Sequence, residues 1–555
     1  MTTGKIDQLS ESGLPTFVLG HDQFGRARRK SVDGAAAWLK TTRDRSIEQE
    51  LDEGTAALDR RALRSVLDFI PGHLHPAILA GTSTVPVHTY IQTALSDVWR
   101  LWFPPGRYVI AGPIVGTRNG QAIVGSGRSL TELFVTGDGF AAISCTTLTD
   151  FVVEDVTINR PLGSIDGGSC AVRFTDSHTA SLRSVSVLGR FDVQVDFRGS
   201  LPATESNPEP ANNQFIYFAD ELALEATCRE TIAIGKVGGV VQEVYLGSIL
   251  GVGGSIGGLC LYNASGIYPG AISILGGYIA VLAKPAAGQV VRYLRGGNIL
   301  ADSTTGPAIK LDATGGGTIE TWDTIFWGAS SSTDHGFFAM QGAGTINGLK
   351  LSVTATNSYK SGIYIVGGTR FDLEPQVGRN SKAGSGQYPN IELKNVQDAY
   401  LSGYASELGS SDFPELASNA VKINSDCRYI HLVDLGCEGT VGAPIVDLVD
   451  PTIEGATVVR DCVGAVTEVV VPVTIAVGNN SGSAPHGLSL LPTLKDVISI
   501  EPLNPPATSA LGCAPIKAGI DATVVALVCD PPVPSGAAPM VCDVRIKIRT
   551  GAKNL

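Results

Sequence analysis

At 555 residues the chain exceeds one ordinary globular core, although a repeating coil can extend a single core without limit. Hydrophobic residues make up 43% and charged ones 17%, which excludes a disordered chain, and 66 glycines suit tight corners every few residues. The formal charge of −12 argues against a nucleic-acid partner, which rewards basic faces.

The first residues, Met1 to Gln8, are polar and lack an apolar core, so no Sec-type signal peptide is expected. Residues 1–40 read as a separate unit, with strands over Gly13–Gly20 and Gly25–Val32 around a turn. The basic cluster Arg26–Lys30 fits an acidic partner or a solvated face equally well. Residues 41–85 carry a helical stalk. From 45 to 70, Ile47, Leu51, Thr55, Leu58, Ala62, Val66 and Phe69 step by 4, 4, 3, 4, 4, 3, an 11-residue repeat. That period favours a nearly straight, self-associating bundle; the competing reading is one helix lying on the end of a coil. A second helix, Val87–Leu95, can close that end, and Pro104-Pro105-Gly106 supplies the turn before the first strand.

Residues 142–160 then lie over residues 171–189 at a constant offset of 29. Val153 falls on Leu182, Ile158 on Val187 and Val156 on Val185, with Leu148 over Ser177 and Val152 over Ser181 as exceptions. β-Branched residues alternating with polar ones at such a period predict a parallel β-helix, an all-β solenoid of stacked rungs, over residues 86–465. Further rungs follow less regularly: Ile391 precedes Val421 by 30, and Val446 follows that by 25. Residues 198–214, rich in Pro and Asn, are the best candidate for a loop leaving the coil. Residues 244–283 are apolar, but glycines interrupt them every few positions. They read as buried rungs, not a membrane span. From 466 to 555, strands separated by Pro-rich turns predict a small antiparallel β-sandwich.

The ten cysteines show no metal-ligand spacing, so no metal and no cofactor are expected. Cys513, Cys529 and Cys542 permit one bridge in the C-terminal module. The offset sets Glu154 over Arg183 as a cross-rung ion pair, a structural role. Glycan cleavage needs two carboxyl groups flanking the bond. Asp192 and Asp196 alternate with Val193, Val195 and Phe197, which places both aspartates and Gln194 outward. They stand roughly 13 Å apart along a strand, so each needs a partner from a neighbouring rung or from Glu205, Glu209, Glu221 or Glu225. The second candidate is Thr321-Trp322-Asp323-Thr324-Ile325-Phe326-Trp327 with Asp334-His335. Here Asp323 and Asp334 are the preferred acid and base, and Trp322, Trp327 and His335 would hold sugar rings. Solvated strand faces and aromatic filling of a wide rung are the competing readings of these two sites.

Phe103-Pro104-Pro105-Gly106-x-Tyr108 followed by Ile123-x-Gly125-x-Gly127-x-x-x-Thr131 resembles the lead-in of phage tailspikes with a pectin-lyase-like right-handed β-helix. Lys5-Ile6-x-x-Leu9 through Arg28-Arg29-x-Ser31-Val32 looks like the virion-anchoring leader of phage tail proteins. Pro485-His486-Gly487-Leu488 resembles a turn of their C-terminal domains. The resemblance implies a homotrimer folded in the host cytoplasm and carried on the virion. It implies contact with the baseplate or tail through the N-terminus and a C-terminal module for trimerisation or receptor binding. It also implies that a host surface polysaccharide is bound and degraded by a hydrolase or lyase. A non-enzymatic tail fibre and a free pectate-lyase-like enzyme are the alternatives; neither involves membrane insertion.

Overall fold

The structure, a computed structural model, describes residues 16–21, 27–31, 62–165, 167–199, 217–225, 227–405, 416–437, 439–450, 454–460 and 462. In the C-terminal part it describes 466–476, 479, 481–485, 497–503, 514–520, 524–530, 533 and 540–549. The chain divides into two compact units, residues 1–63 and 64–555. In the first, Thr16–His21 and Ala27–Ser31 pair antiparallel, with Thr16 opposite Ser31.

Residues 45–61 of the expected stalk helix lie outside the described residues, and residues 63–70 are not helical. Leu63–Ser65 is a strand, and Val66–Asp68 a single 3-10 turn capped by the Ser65 hydroxyl, which accepts from the Leu67 amide. Of the expected stripe, Val66 is buried in the core and Phe69 packs partly buried against it, so they do not form one face of a free helix. The helix His88–Asp97 buries Ile91, Ala94 and Leu95 against the first rungs. Its last carbonyl groups would be orphans, but the Gln121 amide donates to Leu95 O at 2.6 Å and Val98 O at 3.0 Å. Gly106 follows with φ +151°, and a Cβ there would stand 2.5 Å from the Ile78 carbonyl oxygen, so this turn requires glycine.

From Arg100 onward the strands stack as three ladders, here called faces A, B and C. Face A begins with Arg100–Trp102, Ala122–Val124, Val152–Glu154 and Ala180–Arg183. Face B begins with Gly106–Ile110, Thr131–Val135, Thr157–Arg160 and Ser186–Gly189. Face C runs through Ala141–Thr146, Cys170–Thr175, Phe191–Gly199 and Cys228–Gly238 to Val421–Ile423 and Ile445–Asp447. From Val241–Val252 on, single long strands serve faces A and B together, bending between them.

The expected offset of 29 holds on all three faces. Val153 pairs with Leu182, Ile158 with Val187 and Val172 with Ile143, all parallel and all fully buried. The corners repeat too: Thr147 and Asp176, Asp150 and Thr179, and Asp155 and Ser184 share left-handed backbone at that offset. Inside, Phe174 and Phe197 pack on Tyr217, at centroid distances of 6.1 and 4.9 Å. Glu154 does lie over Arg183, but its ion pair is with Arg100, two rungs earlier, at 3.3 Å. Ile391 pairs with Val421 as expected, whereas Val421 pairs with Ile445, so the alignment on Val446 is one residue out. The apolar stretch 244–283 forms strands of the coil, and among the described residues no helix is long and apolar enough to cross a membrane. Of the expected loop 198–214, Arg198 and Gly199 belong to the strand Phe191–Gly199, and residues 200–216 lie outside the described residues.

The C-terminal part contains two three-stranded antiparallel sheets. Val466–Ile475, Met540–Arg549 and Val497–Leu503 form one, and Ser481–Pro485, Val524–Asp530 and Ala514–Ile520 the other. Cys542 is buried, while Cys513 and the Cys529 side chain lie outside the described residues.

Candidate functional site

The outward residues of face C form one column. Arg173 pairs with Asp196, Asp196 with Ala233, Ala233 with Cys260, Cys260 with Leu282 and Leu282 with Lys310. Lys310 then pairs with Phe338, Phe338 with Tyr364, Tyr364 with Glu392 and Glu392 with Lys422. Nine inter-strand steps make a track of roughly 43 Å.

At its upper end two carboxylates are buried outside the main core. Asp196 is fully buried, and its Oδ2 accepts from Arg173 Nε at 3.0 Å and Arg198 Nε at 2.6 Å. Glu230 is equally buried, and its Oε1 accepts from the Tyr262 hydroxyl and Lys236 Nζ, each at 2.9 Å. The three cationic side chains remain about one-quarter exposed, so they reach the surface above the carboxylates they hold. Glu230 precedes Ala233 by three residues and Lys236 follows it by three, yet their ends meet. In register Glu230 itself pairs with Val193, three residues before Asp196 on the neighbouring strand. Asp196 and Glu230 thus stand on adjacent strands, whose backbones are about 4.8 Å apart.

Each carboxylate keeps one oxygen in reserve. Asp196 Oδ1 and Glu230 Oε2 are buried without a hydrogen-bond partner, as are Asp192 Oδ1 and Gln194 Oε1 beside them. Leaving a buried acceptor unpaired costs about 1–3 kcal/mol, so these oxygens are costly groups for the fold to keep. Burial first, then the Cys260 and Glu230 charges, pushes the Tyr262 phenol far above its ordinary range, and it keeps its proton.

The lower end is aromatic. The rings of His335 and Phe338 both stack on Tyr364, at 4.5 and 5.4 Å. Lys394 donates to the Tyr364 hydroxyl at 2.9 Å and pairs with Glu392 at 3.3 Å, which Lys422 also approaches at 3.4 Å. Asp334 is held by Lys360 at 3.0 Å, with His335 Nε2 3.7 Å away. Burial, opposed by Asp334, pushes the His335 imidazole down to about 4, so it is neutral at neutral pH.

The sequence-derived candidates are scattered by the three faces. Asp323 is exposed on face A, between Arg295 and Lys350, whereas Asp334 stands at the corner leading into face C. The structure does not bring this pair together. Trp322 is 1% exposed and its ring lies in the core, so it cannot stack on a sugar. Trp327 is outward, but on face B. Asp192 lies 3.7 Å from Arg229. Asp196 and Gln194 are not solvated strand positions: Arg173 and Arg198 pair with Asp196, and Gln194 is fully buried with its amide donating to the Glu225 carbonyl. Val193 does not enter the main core; it packs outside it with Ala141, Cys170, Ala233 and Tyr262. Glu225 contributes only its backbone carbonyl, to Gln194, and Glu205 and Glu209 lie outside the described residues. Glu230, Lys236 and Tyr262 were not anticipated; the signal for the first two was the apolar run Thr231–Gly235 flanked by opposite charges.

No protein-family model and no curated protein matches the chain. Among solved structures it is similar to tailspike protein 3 of bacteriophage CBA120, at 11% identity over 80% of this chain and a TM-score of 0.49. The chain spans 65% of the length of that protein. It is also similar to the tailspike protein gp49 from Pseudomonas phage LKA1, at 11% identity over 83% of this chain and 92% of that one, TM-score 0.43. A third is the A-module of the Azotobacter vinelandii mannuronan C-5 epimerase AlgE4, at 13% identity over 72% and 100% of the two chains, TM-score 0.38.

Proposed function

We propose that this chain is a homotrimeric phage tailspike that holds a host surface polysaccharide along face C and hydrolyses it at Asp196 and Glu230. The observation that carries the enzymatic part is the pair of buried carboxylates on neighbouring strands, each with one oxygen tied to cations and the other unpartnered. Asp196, with two guanidinium groups on one oxygen, acts on the water or the sugar. Tyr262, protonated and positioned by its hydrogen bond to Glu230, supplies the proton to the leaving oxygen and recovers one from the attacking water. His335, Asp334 and Tyr364 hold sugar hydroxyls and ring faces further down the track. The tailspike part rests on the lead-in motif around Phe103–Tyr108 and on the leader-like residues 1–40, which would seat the chain on the baseplate or tail of the virion. The two C-terminal sheets form the trimerising or receptor-binding sandwich in this reading.

Two further readings have a specific observation behind them. Three cations around the carboxylates, with a protonated tyrosine, also suit elimination on a uronate-containing glycan. Burial of both carboxylates beneath those cations favours a non-enzymatic binder. One experiment separates all three: incubate the protein with purified bacterial surface polysaccharides and follow new reducing ends and unsaturated sugars. Reducing ends alone, lost in Asp196→Asn and Glu230→Gln, support hydrolysis. Unsaturated ends support elimination. Binding with neither product leaves a receptor-binding fibre.

A further inference from the structure

We infer that face B is the surface on which copies of this chain meet. Its two central outward columns are uncharged. In one, Ser186, Ala223, Leu250, Ser273, Leu300 and Trp327 follow each other as register partners. In the other, Ser248, Ala271, Asn298, Ile325 and Ser352 do the same. Along these columns charge returns where Glu374 pairs with Ser352 below and Glu132 pairs with Thr157 above, and at their margins stand Asp302, the register partner of Leu275, and Asp220, which accepts from the Ser248 amide. Within this neutral tract large apolar side chains stand free: Leu250 is 58% exposed, Trp327 47% and Ile325 45%. Between the last two lies a shallow depression of about 310 Å³ that also reaches Asn298 and Ser273. Contiguous apolar surface of this kind marks an interaction site on a soluble protein.

Two properties point to a second copy as the occupant. The first is charge. Face A presents Arg295, Asp323, Lys350 and Asp372 in sequence, and face C presents the charged track described above. Packed on an uncharged surface, those groups would lose water without gaining partners, so a neutral face fits only another neutral face. Face B of another copy is one. The second is spacing. The rows of face B repeat at the inter-strand distance of about 4.8 Å, and only a surface with the same repeat stays matched row after row. A copy of this coil has that repeat by construction.

The inference rests on the homotrimer of the proposed function, and names the surface that builds it. The test is hydroxyl-radical footprinting of the full chain without glycan, alongside its solution mass by light scattering. Tyr400 on face A, 40% exposed, serves as the internal reference. Expected are a mass of several chains and labelling of Leu250 and Trp327 about tenfold slower than Tyr400, after correction for intrinsic reactivity, as befits interface burial. The double variant Leu250→Arg with Trp327→Arg, both outward and compatible with folding by circular dichroism, should lower the mass or restore labelling at Ile325. A single-chain mass overturns the homotrimer and this inference with it. A multi-chain mass with Trp327 labelled as fast as Tyr400 overturns the inference alone. Protection that appears only when polysaccharide is added assigns the depression to the glycan, and also overturns it.

Discussion

Faces B and C are built from the same kind of strand around the same core, yet their outer surfaces are opposites. Face C buries Asp196 and Glu230 under arginine and lysine side chains, while face B exposes Leu250, Ile325 and Trp327 in two columns whose central members carry no charge. The difference lies entirely in every second residue. Inward positions such as Val172, Val195 and Ile232 on face C, and Ile249, Ile272 and Ile299 on face B, are interchangeable aliphatics. A stacked coil thus separates what holds it together from what it shows to partners, because the pleat sends neighbouring residues to opposite sides.

The largest test of this contrast is chemical. Asp196→Asn or Glu230→Gln should lower polysaccharide turnover at least about 100-fold, whereas Trp327→Arg should leave it within about twofold. Equal losses from both faces would break the comparison. Next comes stability. Trp322 and Trp327 sit five residues apart on the strand Thr318–Ala329, one inside and one outside. In urea titration Trp322→Ala should cost about 3–5 kcal/mol and Trp327→Ala no more than about 0.5 in the monomeric state. A smaller effect comes with pH. The His335 imidazole is pushed down to about 4 by burial, against about 6.5 unfolded, so protons favour the unfolded chain. Its contribution is complete above pH 6.5, declines as pH falls through 6.5 toward 4, and is flat below. Comparing urea midpoints of His335→Gln and wild type across that window should show a shallower fall in the variant. The smallest effect separates exposed from buried ion pairs. A double-mutant cycle on Arg100 and Glu154, 39% and 23% exposed, should give less than about 1 kcal/mol of coupling. The Arg173–Asp196 cycle, with its carboxylate fully buried, should exceed it.

Much of the coil was legible because equivalent residues in neighbouring rungs are physically adjacent, so the Val153–Leu182 match in the sequence is a contact in space. Legibility ended where rungs change length. Leu101 pairs with Ile123, 22 residues on, and Leu182 with Ala219, 37 on, so no fixed period finds them. A slip of one residue is enough to exchange inside for outside, as at Val421 and Ile445. The same ambiguity undid Trp322: alternation sets Trp322 and Trp327 on opposite sides of the strand but does not say which of the two faces solvent. Asp196 was noticed as a carboxylate, but its burial depends on Arg173, Arg198 and the Glu230–Tyr262 bond, which come from other rungs or bend back along the strand. Side-chain convergence of that kind leaves no trace in spacing. Residues 63–70 show a different limit, since helical spacing was satisfied by residues that pack individually into the core.

The column from Arg173 to Lys422 grows one position per winding and nowhere branches. Inserting a complete winding would therefore leave every existing neighbour pair intact except at the seam, and would lengthen the reach along face C by about 4.8 Å. Fitting a longer or shorter stretch of partner then needs only duplication or deletion of a whole turn, a change of gauge without a change of design.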